Sequence, residues 1–305
     1  MVDVRLKLNT GATLPALGLG TWQSPEGQVR AAVTSAIQSG YRHLDCAYVY
    51  GNEREVGEGI REGLAAAGIS RSDLFITTKL WCTYHTRVEQ NLDKSLELLG
   101  LDYVDLYLMH WPIAMNPDGN HENFPKTSDG SRDLIRDRSH IDTYKDMEKL
   151  LATGKTKAIG VSNYSKAYLE QLLPQINIVP AVNQIENHPL LPQQEIVDFC
   201  MEKGIIITAY SPLGSAGSPL LTTPVVVKLA EEKNTTPSSI LLSYHIARGS
   251  AVLAKSVNPS RIEENKSIVS LSESNLASLA EISRNGVTRI VYPDFGVDLG
   301  FPDKR

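Results

Sequence analysis

The sequence has few cysteines, and their placement does not suggest disulfide bonds. Only three occur among 305 residues, at Cys46, Cys82 and Cys200. An odd number of widely separated cysteines argues against a disulfide framework and favours reduced thiols. We therefore expect a cytoplasmic protein.

The sequence also lacks a strong charge of either sign. Its formal net charge is −5 at pH 7, and no long run of one sign occurs. Without a basic stripe or a charged tail, we expect neither a nucleic acid nor a membrane surface as a partner. No basic-then-apolar leader and no apolar run near membrane-spanning length occurs, which also argues against a membrane protein.

The sequence does contain a repeated pattern of an apolar run followed by an amphipathic helix. Hydrophobic residues make up 42% of the chain, enough for a sizeable core. After a predicted β-hairpin over 4–16, eight such units follow, often ended by glycine. Their apolar runs span 17–20, 43–45, 74–79, 104–110, 157–162, 181–186, 205–210 and 251–254. Eight strand–helix units predict an α/β fold, a closed (β/α)8 TIM barrel, with 1–305 as a single domain.

The alternative fold is an open doubly wound sheet, which needs a glycine-rich phosphate turn after an early strand. Gly18 and Gly20 are followed by Thr21, so the third glycine is missing. We interpret this pair as a tight turn after the first strand and favour the barrel. The pair Ser24-Pro25 predicts the start of the first helix. Residues 286–305 show no period and are predicted to be a loop or tail.

Polar and aromatic residues follow each predicted strand. In a (β/α)8 barrel the active site lies at the carboxyl ends of the strands. Any one of these residues could simply be solvated or could cap a helix. Because eight successive strand ends carry such groups on one face, we expect an active site there. The residues are Trp22, Asp45, Tyr50, Lys79, His110, Trp111, Ser162, Asn163, Gln184, Tyr210, Ser211, Lys255 and Ser256.

Four of these residues suit the reduction of a carbonyl group. Tyr50 has an ordinary pKa of about 10, and a nearby Lys79 ammonium is expected to lower that pKa. Asp45 could pair with Lys79 and fix its position. His110 could donate a hydrogen bond to a substrate oxygen, beside an acid that protonates a developing alkoxide. No side chain can supply a hydride, so a cofactor must bring it.

The same face offers contacts for a nicotinamide and a substrate. Tyr210 has a flat face for the nicotinamide ring, and Asn163 and Gln184 could bond its carboxamide. Trp22 and Trp111 could wall an apolar substrate pocket. Ordinary packing in the core is the alternative role for both tryptophans.

Residues 255–265 form a second dense polar stretch. Lys255 and Arg261 flank a predicted helix N-terminus, which favours an anion. Ser256 and Asn258 add hydrogen-bond donors, so the stretch suits a phosphate monoester such as the 2′-phosphate of NADP. A capped, solvent-facing helix start is the alternative, but it would not require two converging cations. Adenine contacts are predicted at Glu264 and Asn265.

These residues resemble the aldo-keto reductase superfamily. The similar stretches run in order along almost the whole chain: 40–53, 78–81, 108–112, 160–164, 184–189, 209–214 and 255–265. The resemblance implies a monomeric (β/α)8 barrel that reduces carbonyl groups with NADPH and without a metal. It also implies a small-molecule aldehyde or polyol as substrate.

The resemblance assigns roles residue by residue. The catalytic tetrad is placed at Asp45, Tyr50, Lys79 and His110, with Tyr50 as the acid. The nicotinamide contacts are placed at Ser162, Asn163, Gln184 and Tyr210, and the 2′-phosphate contacts at Lys255, Ser256 and Arg261. We extend the predicted NADPH/NADP site to Gly20, Thr21, Trp22, Ser211, Leu213, Val257, Asn258, Glu264 and Asn265. The predicted substrate pocket consists of Trp22, Tyr50, His110 and Trp111.

Two stretches bear on the substrate. The tail from Val291 onward is less similar to the family, whose C-terminal residues line the substrate pocket. Substrate specificity is therefore the property that can least be inferred for this chain from the family. Segment 113–139 is most similar to fungal members that interconvert glyceraldehyde and glycerol or reduce sugar aldehydes. We therefore predict an NADPH-dependent aldehyde reductase that is reversible as a glycerol or polyol dehydrogenase. The alternatives are a xylose-type aldose or ketone reductase, and a non-catalytic NADPH-binding scaffold, which would not need the acid.

Overall fold

A computed structural model describes residues 4–215 and 217–303. The strands are β1 Arg5–Lys7, β2 Thr13–Pro15, β3 Leu17–Gly20, β4 His43–Asp45, β5 Phe75–Leu80, β6 Leu106–Met109, β7 Ile159–Ser162, β8 Val182–Glu186, β9 Ile206–Tyr210 and β10 Ala251–Lys255. The α-helices are α1 Val29–Gln38, α2 Glu53–Ala67, α3 Val88–Leu99, α4 His140–Leu150, α5 Lys166–Leu172, α6 Gln194–Glu202, α7 Pro224–Glu232, α8 Pro237–Ala247, α9 Pro259–Glu264 and α10 Glu273–Ala280.

Eight of the strands form a closed barrel. The order around it is β10, β3, β4, β5, β6, β7, β8 and β9, and every neighbouring pair is parallel. Parallel neighbours require crossover connections, which the helices provide. The predicted (β/α)8 barrel is therefore confirmed, and the open doubly wound sheet is not the fold.

The N-terminal hairpin closes one end of the barrel. Strands β1 and β2 pair antiparallel, with Arg5 opposite Pro15. Leu8 and Leu14 pack with apolar residues near the amino ends of barrel strands, among them Phe75. The hairpin was predicted from the sequence. Because it covers the amino end, the carboxyl end of the barrel is left for the site.

The glycine pair after the hairpin is part of a strand, so its interpretation as a tight turn is wrong. Both Gly18 and Gly20 lie inside β3. A Cβ atom at Gly18 would come within 2.7 Å of His43 Nδ1 and of Leu253 Cδ2. Glycine is therefore needed at position 18 because neighbouring side chains fill the space, and not because the chain turns there.

The first helix begins later than Ser24-Pro25 predicts. Helix α1 starts at Val29, and the residues before it form turns. Gly27 has φ +77° and its N–H donates to the Glu55 carboxylate at 3.0 Å. A residue with positive φ cannot lie in a right-handed helix, so α1 can form only after it.

Two later helices begin at a proline that follows a threonine, an arrangement that favours a helix start. Helix α7 begins at Pro224 after Thr223, and helix α8 begins at Pro237 after Thr236. Residues 286–303 contain no helix or strand, as predicted, while 304 and 305 lie outside the described residues. Leu299 and Phe301 of this tail are nevertheless buried in the main core. None of the described helices is long and apolar enough to cross a membrane.

Candidate active site

Lys79 lies at the centre of the candidate active site, inside the barrel. Strand β5 pairs with β4 so that Asp45 is opposite Thr77, two residues before Lys79 and on the same face of the strand. The fully buried ammonium donates to Asp45 Oδ1 at 2.6 Å and to the Cys46 carbonyl at 2.9 Å. It also donates to the Tyr50 hydroxyl at 3.1 Å. Three of the four predicted catalytic residues are thus in direct contact.

Tyr50 reaches this position through a short turn after β4. The turn Tyr48–Tyr50 is a single 3₁₀ turn that ends at Gly51, whose φ is +71°. Glycine adopts this left-handed conformation without steric cost, and Asn52 and helix α2 follow at once. Asn52 donates to the Thr21 carbonyl at 2.9 Å, which ties this turn to the end of β3.

The pKa of Tyr50 is raised, whereas the sequence predicts a lowered pKa. Burial raises the pKa of the hydroxyl to about 12, although Lys79 acts to lower it. The influence of Lys79 therefore has the predicted sign but is the smaller effect. Burial is also the largest single influence on Lys79 and disfavours its ammonium, yet Asp45 and Tyr50 together outweigh burial and raise the pKa of Lys79 above its usual value. Tyr50 is consequently protonated and Lys79 charged at neutral pH.

His110 lies immediately after β6 and beside Tyr50. The two ring centroids are 5.7 Å apart in an edge-on arrangement. Burial and the nearby Lys79 charge hold the pKa of His110 well below its usual value. A neutral imidazole keeps one N–H donor and one acceptor. Its Nδ1 atom is buried and has no hydrogen-bond partner among the described residues.

Aromatic rings surround His110 on two sides. Trp111 is buried and stacks with His110 at 6.4 Å between centroids, whereas Trp22 is 43% exposed in the loop after β3. Trp81 was not among the predicted pocket residues, yet its ring meets His110 edge-on at 5.2 Å. Its place directly after β5 was the signal that could have identified it. Phe124 in turn packs on Trp81, with 5.4 Å between ring centroids, and brings segment 113–139 to the aromatic rings around His110.

The predicted nicotinamide contacts are bonded to one another and to the tetrad. Asn163, with φ +61°, donates to the His110 carbonyl at 2.9 Å and accepts from the Tyr210 hydroxyl at 2.7 Å. Gln184 Nε2 donates to Asp45 Oδ2 at 2.7 Å. The Ser162 hydroxyl donates to the Gln184 carbonyl at 2.9 Å. The barrel therefore fixes these groups next to Asp45 and the main chain of His110.

The predicted phosphate-binding stretch lies at the start of the short helix α9. Asn258 caps this helix by accepting from the Arg261 N–H at 3.2 Å, and Ser256 accepts from the Asn258 N–H at 3.1 Å. Lys255 and Arg261 are exposed, and neither is ion-paired within the described part of the chain. Glu264 is exposed.

The remaining predicted cofactor residues lie on adjacent strand ends. Strands β9, β10 and β3 are neighbours in the barrel, and Lys255 is paired with Gly20. Thr21 is buried and donates to the Asp45 carbonyl at 2.9 Å. Half-buried residues from these strand ends are Gly20, Ser211, Leu213 and Val257, while Asn265 is buried one turn further on. These strand ends connect the tetrad to the two exposed cations.

The structure combines a closed parallel barrel with a buried Lys–Asp–Tyr cluster at the carboxyl end. Comparison with known proteins points to one family of barrel enzymes. The sequence model of the Aldo/keto reductase family matches residues 16–284. The D-galacturonate reductase of Hypocrea jecorina is 60% identical over 100% of both chains. The glycerol 2-dehydrogenase (NADP(+)) of Saccharomyces cerevisiae is 47% identical, over 95% of this chain and 94% of that protein.

A solved structure agrees with these relatives. The aldose reductase of Schistosoma japonicum superimposes with a TM-score of 0.88 and 40% identity, over 95% of this chain and 94% of that one. The chain therefore belongs to the aldo/keto reductase family and is an oxidoreductase. The family predicted from the sequence is confirmed.

Proposed function

We propose that this protein reduces the aldehyde group of small sugar-like molecules with NADPH, with Tyr50 as the proton donor. The observation that carries the proposal is the Tyr50 hydroxyl, which lies 3.1 Å from a buried Lys79 ammonium and beside a neutral His110. A scaffold without turnover would not require these groups. The same site catalyses the reverse oxidation of a polyol.

The residues at the carboxyl end of the barrel fit NADPH. Two exposed cations, Lys255 and Arg261, lack carboxylate partners in the described chain and suit a 2′-phosphate. Tyr210 is half-buried and held by Asn163, so that its ring is fixed as a flat surface for the nicotinamide. NADPH, when bound, supplies the hydride. The name of one relative, an NADP(+)-dependent dehydrogenase, supports the same cofactor.

The four predicted catalytic residues transfer one proton to the substrate and stabilise the phenolate that remains. The Tyr50 hydroxyl gives its proton to the oxygen of the reacting carbonyl, on which negative charge develops. Lys79 stabilises the phenolate that remains, because its ammonium already bonds that oxygen. Asp45 keeps Lys79 charged and in place. The neutral His110 imidazole donates a hydrogen bond to the substrate oxygen and orients it.

The relatives favour a sugar aldehyde as the substrate. The 60% identical protein is named as a reductase of D-galacturonate, a six-carbon sugar acid. Glyceraldehyde is a second candidate, since a 45% identical Hypocrea jecorina protein is named as a D/L-glyceraldehyde reductase. Buried, unpaired Cys46, Cys82 and Cys200 support a reducing compartment such as the cytoplasm. We propose that the enzyme acts there as a monomer.

The test is the initial rate of NADPH consumption with D-galacturonate, glyceraldehyde, xylose, an aromatic aldehyde and a ketone. Glycerol and L-galactonate with NADP test the reverse direction. We expect the highest kcat/KM with D-galacturonate and measurable oxidation of its alcohol product. A preference for glyceraldehyde and glycerol would favour the second candidate. If no aldehyde is reduced although NADPH quenches the tryptophan fluorescence, the proposed activity is wrong.

A further inference from the structure

A buried carboxylate holds the main chain of the C-terminal segment, defined here as residues 286–303. Glu186, the last residue of β8, is buried with its whole side chain. Its Oε1 accepts from the Ile290 N–H at 2.8 Å, and its Oε2 accepts from the Val291 N–H at 2.7 Å. His188 Nε2 lies 2.9 Å from the same Oε1. Both oxygens of one side chain are thus used to hold the segment.

This attachment replaces the pairing that secondary structure would otherwise supply. The C-terminal segment contains no helix or strand, so the N–H groups of its half-buried Ile290 and Val291 need other acceptors. A carboxylate accepts at two oxygens, and its bonds are stronger than those between neutral groups. Gln193 reinforces the attachment, since it donates to the Glu186 carbonyl and accepts from Arg289 at 2.7 Å. Thr288 donates to the Leu190 carbonyl at 2.9 Å, just before the attached residues.

The attached segment continues directly to the candidate active site. Phe295 follows Val291 by four residues and packs edge-on against Trp111, with 5.3 Å between ring centroids. Trp111 stacks on His110. Both Phe295 and Trp111 are buried. Phe295 and Trp111 thus form a wall next to His110. The position of this wall depends on where the C-terminal segment is held.

We propose that Glu186 is a positioning residue that sets this wall and thereby the length of aldehyde that the site accepts. The proposal rests on the proposed aldehyde reduction. A six-carbon sugar aldehyde extends further from the Tyr50 hydroxyl than glyceraldehyde does, so the long substrate depends on a fixed wall and the short one does not. Glu186 itself touches neither substrate nor the reacting atoms.

The test is the substitution Glu186→Gln in the full-length protein. The amide N–H₂ group cannot accept a hydrogen bond, so at least one backbone N–H of the segment loses its partner. We expect the KM for D-galacturonate to rise about tenfold, equivalent to about 1.4 kcal/mol. The KM for glyceraldehyde should change less than about twofold, and kcat should be retained with both. The KM for NADPH should also be retained, because Glu186 pairs with Tyr210 through its main chain.

The matched control is Glu195→Gln. Glu195 is an exposed carboxylate on α6 that pairs with Lys166, so its substitution should leave both aldehyde KM values unchanged. Phe295→Ala should reproduce the selective rise in KM without altering the buried carboxylate. This variant carries the test if Glu186→Gln does not fold.

Limited proteolysis supplies a readout that is independent of activity. We expect cleavage within 286–303 to be faster in Glu186→Gln than in the wild type and in Glu195→Gln. An equal rise in KM for both aldehydes, or no rise in Phe295→Ala, would contradict the proposal, as would unchanged proteolysis in Glu186→Gln. If the wild type reduces neither aldehyde, the proposed function fails, while proteolysis still decides whether Glu186 holds the segment.

Discussion

Gln184 and Asp45 are bonded across the barrel, with 2.7 Å between Gln184 Nε2 and Asp45 Oδ2. Asp45 ends strand β4, and Gln184 lies in β8 two residues before its last residue. These two strands lie on opposite sides of the eight-stranded barrel. The other oxygen of Asp45 accepts from Lys79 at 2.6 Å. One carboxylate therefore joins Lys79, a predicted catalytic residue, to a residue that the sequence predicts in nicotinamide binding.

This bond predicts an effect of Gln184 on turnover and not only on cofactor binding. Gln184→Leu leaves Asp45 Oδ2 buried without a donor, at a cost of about 1.5–3 kcal/mol for a bond to a charged group. We expect kcat at saturating NADPH to fall about tenfold or more, because Lys79 loses its fixed position. Steady-state kinetics measures this. A normal kcat with a raised KM for NADPH alone would restrict Gln184 to cofactor binding.

The proton donor is tested by Tyr50→Phe. The substitution removes the hydroxyl that receives the Lys79 hydrogen bond, and we expect the reduction rate to fall by about 10²–10⁴. NADPH binding, followed by quenching of tryptophan fluorescence, should remain. Tyr103→Phe is the control, since this tyrosine precedes β6 and lies toward the amino end of the barrel. Substantial residual reduction in Tyr50→Phe would exclude Tyr50 as the acid.

The places of the four predicted catalytic residues in the fold could be predicted because strand ends can be read from the sequence. Apolar runs that stop at Asp45, Lys79 and His110 place these residues at one end of a parallel barrel once eight units are recognised. The net pKa of Tyr50 could not be predicted, since it depends on how deeply the hydroxyl is buried. A sequence identifies the neighbouring charge but not the burial that outweighs it.

The sequence predicts Trp111 beside the site but not Phe124 or the attachment of the C-terminal segment. Phe124 lies in a segment without hydrophobic period, and its packing on Trp81 depends on a loop conformation that no local pattern encodes. The bonds between Glu186 and the main chain of Ile290 and Val291 join residues more than a hundred positions apart. Such contacts leave no sequence signal because every residue type except proline supplies a backbone N–H.

The preference for NADPH is tested by Lys255→Ala. Lys255 is exposed and free of carboxylate partners in the described chain, so its role depends on the ligand phosphate. We expect the KM for NADPH to rise about tenfold, while the KM for NADH, which lacks the 2′-phosphate, changes little. Lys228→Ala is the control, because Lys228 is an exposed lysine of α7. Equal effects on the two cofactors would remove Lys255 from the 2′-phosphate site.

The dependence of stability on pH is predicted from Glu53, the first residue of α2. Glu53 is buried, accepts from the Thr78 hydroxyl at 2.5 Å, and has a pKa raised by burial to about 7. A folded-state pKa above the unfolded value means that the folded state binds more protons between these values. The contribution of Glu53 is therefore fully present below its ordinary pKa of 4.5 and is lost as the pH rises through 7.

Glu53→Gln isolates this contribution, because the amide is neutral at every pH. The shift corresponds to roughly 3 kcal/mol at most, so the free energy of unfolding of the variant relative to wild type should increase between pH 5 and pH 8. Urea unfolding at several pH values measures it. Glu97→Gln, an exposed carboxylate on α3, is the matched control and should show no such trend. A difference between Glu53→Gln and wild type that does not change with pH would mean that Glu53 stays ionised in the folded protein, with Thr78 and the start of α2 compensating its burial.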